Sequence, residues 1–553
     1  MKNRQINRII TVLICSVFVL MSAASCGTGS NDNTKVETGN TSSPASTSTS
    51  TPSSSSASTS PDASSEQGTS TGSTRDTLNI ALASDSGTLS PVSIGGDFFS
   101  VPLTMMEPLW DVTENNDYIW LLAESVEEAS PTQWIVHLRQ NVKFSNGNPF
   151  TVDDVLFTIQ LTRDSGSIAS PRTQSIDIEA TKAIDDYTLD LRFIDYHVSN
   201  MTIIGDMLIY DEESYEAEKA SAEPVGTGPY ILTEYIVNSH CFVERRDDYW
   251  GEAPAIQYLK FRVLAETSQV VNALETGNVD VGRIAPQDFD YVSELSGFNV
   301  LSRYAATWAS MGFNVTEDSV MHNVEARYAV CHAINRQAMI SLVYNGMATM
   351  MYNPITAVAF DYEPRFDNLH ETYSIGFDVE RAKQLAESSG LIGQEVRIIT
   401  NGTAEFVTMA EIIQGMLKDI GVNVAINNYD PATFSQLSSD PTTYDLRLSG
   451  GICPNRRVSD PIVNGVRYSK ILSAPGSWED VEEYLELAPK SFHTPDAQER
   501  SDITLKLLQM YTKACLTYPI CDVLTSIAHS TDLKEPIVYR AAGGIRYADV
   551  SYK

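Results

Sequence analysis

Residues 224–230 have the sequence PVGTGPY, and residues 244–251 follow with ERRDDYWG. Thr227 stands between two glycines, which lack a Cβ atom and let two backbone segments approach each other closely. We therefore expect the chain at Thr227 to cross close to another strand.

Residues 134–155, WIVHLRQNVKFSNGNPFTVDDV, predict a strand, a tight turn and the start of a helix. Apolar and polar residues alternate between Thr132 and Arg139, which is the pattern of a half-buried strand. Asn146-Gly147 is a tight-turn signal. Thr151 then provides a candidate N-cap for a helix whose first turn is acidic.

Strand and helix patterns continue to alternate along the chain. One helical pattern ends at Gly277 and a strand follows at residues 279–281. Further helices are predicted over residues 326–344 and over Asp378–Ser389, where Asp378 is the N-cap candidate. This alternation indicates an α/β architecture.

These segments together resemble the family 5 bacterial extracellular solute-binding proteins. The family's ordered motifs recur here at residues 134–155, 224–230, 245–251, 275–281, 313–314, 327–336 and 444–451. In the motif RYAVCHAINR, Asn335 replaces the Asp that is usual in the family. The motifs cover nearly the whole chain after residue 75.

The resemblance implies an α/β fold of the two-lobed, periplasmic-binding-protein-like (type II) kind, with an extra inserted subdomain and a ligand cleft between the lobes. By motif order, the main lobe would comprise residues 76–107, 225–315 and 520–553, the inserted subdomain residues 108–224 and the second lobe residues 316–519. Hinges are expected near Asn314 and near Tyr518-Pro519. Closure of the lobes around a ligand would let a membrane permease distinguish loaded protein from empty protein.

The N-terminus predicts export and tethering to a membrane. A basic segment precedes an apolar run, Ile9–Met21, that is shorter than the roughly 20 residues of a membrane-spanning helix, so residues 1–25 are expected to be a signal peptide. The small residues before Cys26 resemble a lipobox, although Ala23 stands where that motif usually has Leu. The resemblance implies lipidation of Cys26, with ordinary cleavage nearby as the alternative. Residues 26–75, rich in Ser and Thr, are expected to form a disordered linker.

The charge of the chain argues against nucleic-acid binding, and its lack of catalytic motifs argues against enzyme activity. The chain has 38 basic and 71 acidic residues, and its net charge of −33 disfavours nucleic acids and anionic lipid surfaces as partners. Neither a Walker-type loop nor an H-E-x-x-H pair occurs, so we expect no enzyme activity, no metal site and no cofactor. The cysteines after the N-terminal segment match no zinc pattern, although Cys515 and Cys521 could pair in an oxidising compartment.

The sequence departs from peptide-binding relatives directly after the motif YDLRLSGG. Those proteins often have a Gly-Trp-x-x-Asp segment here, whose carboxylate pairs with the ligand's ammonium group, whereas this chain has Cys453, Asn455, Arg456 and Arg457. Arg456 and Arg457 would repel an ammonium group and could instead bind a carboxylate or phosphate, unless they are solvated loop residues. Asn455 could offer a neutral hydrogen bond, and Asp460 could replace the missing acidic partner.

Aromatic and sulfur-containing side chains provide further candidate ligand contacts. Trp308 and Met311 precede Phe313-Asn314, a strand that lies near the cleft in relatives, and both could stack on a ligand. Phe98 and Phe99 lie in the first-lobe segment that often lines the pocket. Each of these side chains could equally belong to a hydrophobic core.

The resemblance thus implies a lipid-anchored binding protein on the outer face of a Gram-positive-type membrane, or in the periplasm if an outer membrane exists. It would act as a monomer and deliver peptides to the transmembrane permease subunits and cytoplasmic ATPases of an ABC importer. An oligosaccharide or a nickel chelate is the alternative ligand. A ligand-sensing receptor lipoprotein is the alternative role.

Overall fold

The computed structural model describes residues 75–553 except 94–95, 167–168, 368, 370–372, 374, 454–455, 468, 536 and 542–543. The predicted signal peptide, the lipidation of Cys26 and the linker up to residue 74 lie outside the described residues. The strands are β1 (Thr77–Leu82), β2 (Trp110–Val112), β3 (Tyr118–Trp120), β4 (Ala123–Ser130), β5 (Gln133–Leu138), β6 (Lys182–Asp185), β7 (Thr188–Arg192), β8 (Tyr230–Ile236), β9 (His240–Arg245), β10 (Tyr258–Val263), β11 (Val281–Ile284), β12 (Phe298–Phe313), β13 (Ala348–Met350), β14 (Glu395–Thr400), β15 (Asn423–Asn428), β16 (Leu446–Ile452) and β17 (Thr517–Ser530). The helices are α1 (Pro102–Met105), α2 (Val152–Asp164), α3 (Asn200–Gly205), α4 (Ala217–Ala220), α5 (Thr267–Glu275), α6 (Phe289–Ser293), α7 (Val324–Ala333), α8 (Arg336–Tyr344), α9 (Val379–Ser388), α10 (Ala404–Lys418), α11 (Pro431–Leu437), α12 (Ser459–Arg467), α13 (Val481–Leu487), α14 (Lys490–His493) and α15 (Ala497–Lys513).

An eleven-stranded mixed sheet runs through the structure in the order β15-β14-β16-β12-β17-β11-β1-β10-β9-β8, with β13 paired to β17. β1 is parallel to β10 and β11, and β14 is parallel to β15 and β16. Parallel strands need crossover connections. α5 provides one between β10 and β11, which lie on either side of β1, and α10 provides one between the neighbours β14 and β15. The predicted α/β class is confirmed. A separate four-stranded sheet has the order β4-β5-β7-β6.

Separate hydrophobic clusters define a second lobe, a main lobe and an insert in the described chain. The second lobe has a cluster drawn from residues 309–521. The main lobe has clusters drawn from residues 78–106, 208–292 and 528–550. The insert has a cluster drawn from residues 109–209 together with Ala541. The two-lobed fold is therefore as expected, while the exact domain boundaries given above stay predictions.

The long strands β12 and β17 pass from one lobe to the other. The first half of β12 pairs with the last half of β17 beside β11, and the remaining halves pair beside β16. The register breaks between Tyr304 and Trp308, and Ala306 within the break has a φ of 55°. Few non-glycine residues adopt this conformation. The backbone at Ala306 is therefore unusual where β12 passes from one lobe to the other. The expected hinges near Asn314 and Tyr518-Pro519 stay predictions.

Several local predictions are confirmed. The strand predicted over residues 132–139 is β5, and the helix predicted after Thr151 is α2, in which Asp154 Oδ2 accepts a hydrogen bond from the Thr151 N–H (2.8 Å). Asp378 caps α9 by accepting a hydrogen bond from the Arg381 N–H (2.9 Å). These elements depend on sequence-local chemistry, which explains why the sequence predicts them well.

The close crossing expected at Thr227 is present, but the chain crosses the end of α1 and not a strand. A Cβ atom on Gly228 would lie 2.6 Å from the carbonyl carbon of Met105 and 2.7 Å from the carbonyl oxygen of Thr104. Thr227 Oγ1 donates a hydrogen bond to the buried Glu107 carboxylate (2.9 Å). Only glycine fits this approach of two backbones.

Two other sequence interpretations differ from the structure. The single helix predicted over residues 326–344 is wrong, because Asn335 accepts a hydrogen bond from the Ala338 N–H (3.0 Å) and starts α8 as a separate helix. A bond between Cys515 and Cys521 is not present in the structure, where the five described cysteines are free and the sulfur of Cys515 lies 3.4 Å from that of Cys331. Among the helices of the described residues, none combines the length and the apolar character needed to cross a membrane.

Candidate ligand site between the lobes

A small apolar cluster lies where the strands pass between the lobes. Trp308 and Cys453, both predicted as ligand contacts, are buried in it together with Ala306 and Met351. The Trp308 ring lies so close to Gly451 that a Cβ atom at that position would overlap it. The structure therefore brings Trp308 next to the segment that contains the two predicted arginines.

Arg456 connects the second lobe to the insert. Its guanidinium group donates hydrogen bonds from Nε to the Ala541 carbonyl (3.0 Å) and from Nη1 to the Glu114 carbonyl (3.2 Å), and the residue is only 3% exposed. Its backbone carbonyl accepts a hydrogen bond from the N–H of Phe360 (2.7 Å), whose ring packs against the insert cluster. Burial, reinforced by the neighbouring Arg303 guanidinium, lowers the pKa of Arg456. Arg456 is thus an interlobe contact.

Arg303 lies in the part of β12 that precedes the register break. It forms an ion pair with Glu114 (2.7 Å), and its guanidinium stacks over the Tyr539 ring at 3.9 Å. The Nε of Arg303 and the Nη2 of Arg456 are buried and have no hydrogen-bond partner among the described residues. Two cationic groups therefore retain donors that the described protein groups do not satisfy.

Asp522 lies on β17, which neighbours β12 in the sheet. It pairs with Trp308 in the strand register, and its Oδ2 accepts a hydrogen bond from Thr356 Oγ1 (2.7 Å). Its Oδ1 is buried and is not hydrogen-bonded to any group in the described part of the chain. Burial raises the pKa of Asp522 to about 6, although the Thr356 hydrogen bond and the Arg456 charge oppose that rise.

Arg457 is half-buried beside the same aromatic ring as Arg456. Its guanidinium lies 5.8 Å from the centre of the Phe360 ring, and its Nε has no hydrogen-bond partner within the described chain. Burial raises the pKa of Tyr118 on β3, and the Arg457 charge partly offsets this effect. Tyr118 and Trp120 are partly exposed there, with their ring centres 6.3 Å apart.

Three of the other predicted contacts lie in the cores of the lobes. Phe98 and Phe99 belong to the main-lobe core, and Met311 belongs to the second-lobe core. Asp460 is buried within α12. Asn455 lies outside the described residues. The structure does not bring Phe98, Phe99 or Met311 to the Trp308 cluster, and their contact with a ligand stays a prediction.

Sequence reasoning missed Arg303 and Asp522. Each is a lone charged residue in a largely apolar strand, and buried charges in such positions need a partner, so a signal was present. In the described part of the chain, no group of three or more His, Cys, Asp or Glu side chains is placed to hold a metal ion.

A second contact joins the insert to the second lobe. The Val198 N–H donates a hydrogen bond to the Phe492 carbonyl (3.0 Å), and the His197 ring stacks on the Phe492 ring at 5.0 Å. His493 Nδ1 lies 2.7 Å from the Tyr196 carbonyl oxygen. Burial, together with His493, Arg457 and Arg467, lowers the pKa of His197 to about 4.

Two α/β lobes that share paired crossing strands, with buried polar groups between them, define a two-lobed binding protein. The sequence model described as bacterial extracellular solute-binding proteins, family 5 Middle, matches residues 117–457. The chain therefore belongs to the family 5 bacterial extracellular solute-binding proteins.

Curated relatives and solved structures agree with this assignment. A Brucella ovis protein named as an ABC transporter peptide-binding protein is 26% identical over 371 residues, which cover 64% of this chain and 68% of that protein. The nickel-binding periplasmic protein of Escherichia coli is 25% identical over 384 residues, which cover 64% of this chain and 71% of that protein. The oligopeptide-binding protein AppA of Bacillus subtilis, solved with a nonapeptide, superposes with a TM-score of 0.73 at 17% identity and covers 87% of this chain and 100% of its own. At this identity the structural likeness concerns the fold alone.

Proposed function

We propose that this chain captures peptides between its lobes and delivers them to the permease of an ABC importer, outside the cytoplasm and tethered through a lipid on Cys26. The names of the Brucella relatives and the nonapeptide bound to AppA support this ligand class. The observation that supports it most directly is the presence of both charges in the interlobe site, where Arg456, Arg303 and Asp522 each have a buried side-chain atom without a hydrogen-bond partner among the described residues.

Buried charged groups without hydrogen-bond partners are costly, and water or a ligand normally satisfies them. A peptide has a carboxylate for the arginines and an ammonium group for Asp522. A neutral sugar could satisfy neither charge by ion pairing. The arrangement therefore favours a zwitterionic ligand, and Asp522 takes the role that Asp460 was expected to fill.

The proposed ligand contacts are a revision of the predicted set. Trp308, Arg456 and Arg457 are kept, and Arg303 and Asp522 are added. Cys453 packs against Trp308 and helps to position it. Core packing of Phe98, Phe99 and Met311 favours a structural role for those three residues.

Thermal unfolding with a panel of ligands tests the proposal. The panel contains di- to hexapeptides in free, N-acetylated and C-amidated forms, oligosaccharides, and nickel with histidine. We expect free peptides at about 100 times their dissociation constant to add roughly 2.7 kcal/mol of stability. Both blocked forms should add less, because each removes one of the two charges.

Asp522→Asn keeps the size of the side chain and removes its charge. We expect this variant to respond to free peptides no more strongly than the unmodified protein responds to N-acetylated ones. Asp419→Asn, at an exposed site of the second lobe, is the matched control and should behave like the unmodified protein. Stabilisation by oligosaccharides alone, or by nickel with histidine alone, would replace the peptide proposal with that alternative.

A further inference from the structure

Two cysteines that lie far apart in the sequence meet inside the second lobe. Cys331 on α7 and Cys515, just beyond α15, are separated by 184 residues, and their sulfur atoms are 3.4 Å apart. Both are almost completely buried. The other described cysteines lie in different surroundings: Cys241 in the main-lobe core, Cys453 beside Trp308, and Cys521 next to Tyr344.

The segment that contains Cys515 is held firmly against α7. Arg327 donates hydrogen bonds from Nε (3.0 Å) and Nη2 (2.8 Å) to the carbonyl of Ala514. The Tyr328 hydroxyl donates to the carbonyl of Lys513 (2.6 Å). These contacts fix the backbone directly before Cys515 against α7, so the thiol pair is part of the packed structure.

We propose that Cys331 and Cys515 form a disulfide bond in the exported protein. The sulfur atoms must approach each other by only about 1.4 Å to reach the usual bond length of about 2.0 Å. The proposal rests on the extracytoplasmic location proposed above, because disulfides persist in oxidising compartments.

The oxidant is an external disulfide, either of low molecular weight or in a thiol oxidoreductase. One cysteine thiolate attacks it and forms a mixed disulfide while the first external thiol leaves. The second cysteine then displaces the other external thiol and completes the Cys331–Cys515 bond. The protein loses two thiol hydrogens, and the external disulfide is reduced to two thiols.

Burial raises the pKa of the Cys331 thiol well above its ordinary value, which makes the thiol unreactive once the lobe has folded. The bond is therefore expected to form during folding. Once formed, it would join α7, which follows β12, to the start of β17. Those two strands pass between the lobes, so the bond would fix the second-lobe ends of both.

Peptide mapping by mass spectrometry tests the proposal on the full chain. The protein is refolded with oxidised and reduced glutathione, denatured, alkylated without reductant and digested. We expect one linked peptide pair that contains Cys331 and Cys515, with a mass two hydrogens below the sum of the reduced peptides. Cys241, Cys453 and Cys521 should be alkylated.

The thermal midpoint provides the second readout. Reductant should lower the midpoint of the unmodified protein and of Cys521→Ser, but not that of Cys331→Ser. Alkylation of both Cys331 and Cys515 in oxidatively refolded, fully folded protein would overturn the proposal, as would a link from Cys515 to Cys521. If the Ser variants fail to fold, the map of the unmodified protein alone decides. None of these outcomes depends on ligand binding, so failure here is distinguishable from failure of the proposed function.

Discussion

Arg457 is the residue whose role in ligand choice can be tested most cleanly. Its guanidinium lies beside the Phe360 ring and its Nε has no partner in the described chain, whereas Arg456 donates a hydrogen bond to the Ala541 carbonyl. A hydrogen bond to a charged group is worth about 1.5–3 kcal/mol. We expect Arg457→Ala to weaken binding of peptides with a free carboxylate by about tenfold or more, as measured by titration calorimetry.

Two comparisons make this prediction specific. Arg457→Lys keeps the charge but loses the planar pair of donors, so it should have an intermediate affinity. Arg381→Ala, on the exposed face of α9, should bind as tightly as the unmodified protein. The idea fails if Arg457→Ala leaves every measured affinity unchanged.

Residue identity alone pointed to part of the proposed site, which stays a prediction. Arg456 and Arg457 stood out because they replace the Trp and Asp of peptide-binding relatives. Their different roles were not predictable, since the partners of Arg456 are the carbonyls of Glu114 and Ala541, which lie far away in the sequence. Backbone carbonyls have no signature in a sequence.

At the scale of elements, the crossing of Gly228 over the end of α1 sets a strict steric limit. A methyl group there would lie 2.6 Å from the backbone of Met105, and the Gly228 N–H donates a hydrogen bond to the Met105 carbonyl (2.9 Å). The atoms that this methyl group would meet belong to the backbone and cannot rotate away as a side chain could. We expect Gly228→Ala to lower the free energy of unfolding by about 1–3 kcal/mol or more, as measured by urea denaturation.

Gly415 is the matched control because it lies within α10 and a methyl group there would contact nothing within 4 Å. Gly415→Ala should raise stability by about 0.5–1 kcal/mol through its helix propensity. If the two substitutions change stability in the same direction, the steric account of the Gly228 crossing is wrong.

Elements with local causes were predictable, and contacts between distant segments were not. β5, α2 and α9 follow from alternation and capping residues, whereas the break at Asn335 was missed because the apolar pattern continues across it. The approach of Cys331 to Cys515 required the packed second lobe, and the spacing of the cysteines contained no sign of it.

At the scale of the whole molecule, we expect the contact of His197 with Phe492 to make the interface between insert and second lobe sensitive to pH. The folded pKa of about 4 lies below the ordinary value of about 6.5, because burial and the charges of His493, Arg457 and Arg467 disfavour protonation more than Asp195 favours it. The unfolded chain therefore binds more protons between these values, and stability falls as the pH drops from about 6.5 toward 4. The shift corresponds to at most about 3 kcal/mol.

Other groups titrate in the same range, so the prediction is a difference between two proteins. Burial raises the pKa values of Asp154 and Asp522 to about 6, and this adds stability as the pH falls, which is the opposite sign. His197→Phe keeps an aromatic ring on Phe492 and removes the titrating group. In urea denaturation, the unmodified protein should therefore lose more stability than His197→Phe between pH 7 and pH 4.5, since the carboxyl contributions cancel in the comparison. Equal losses in the two proteins would show that His197 does not make this interface depend on pH.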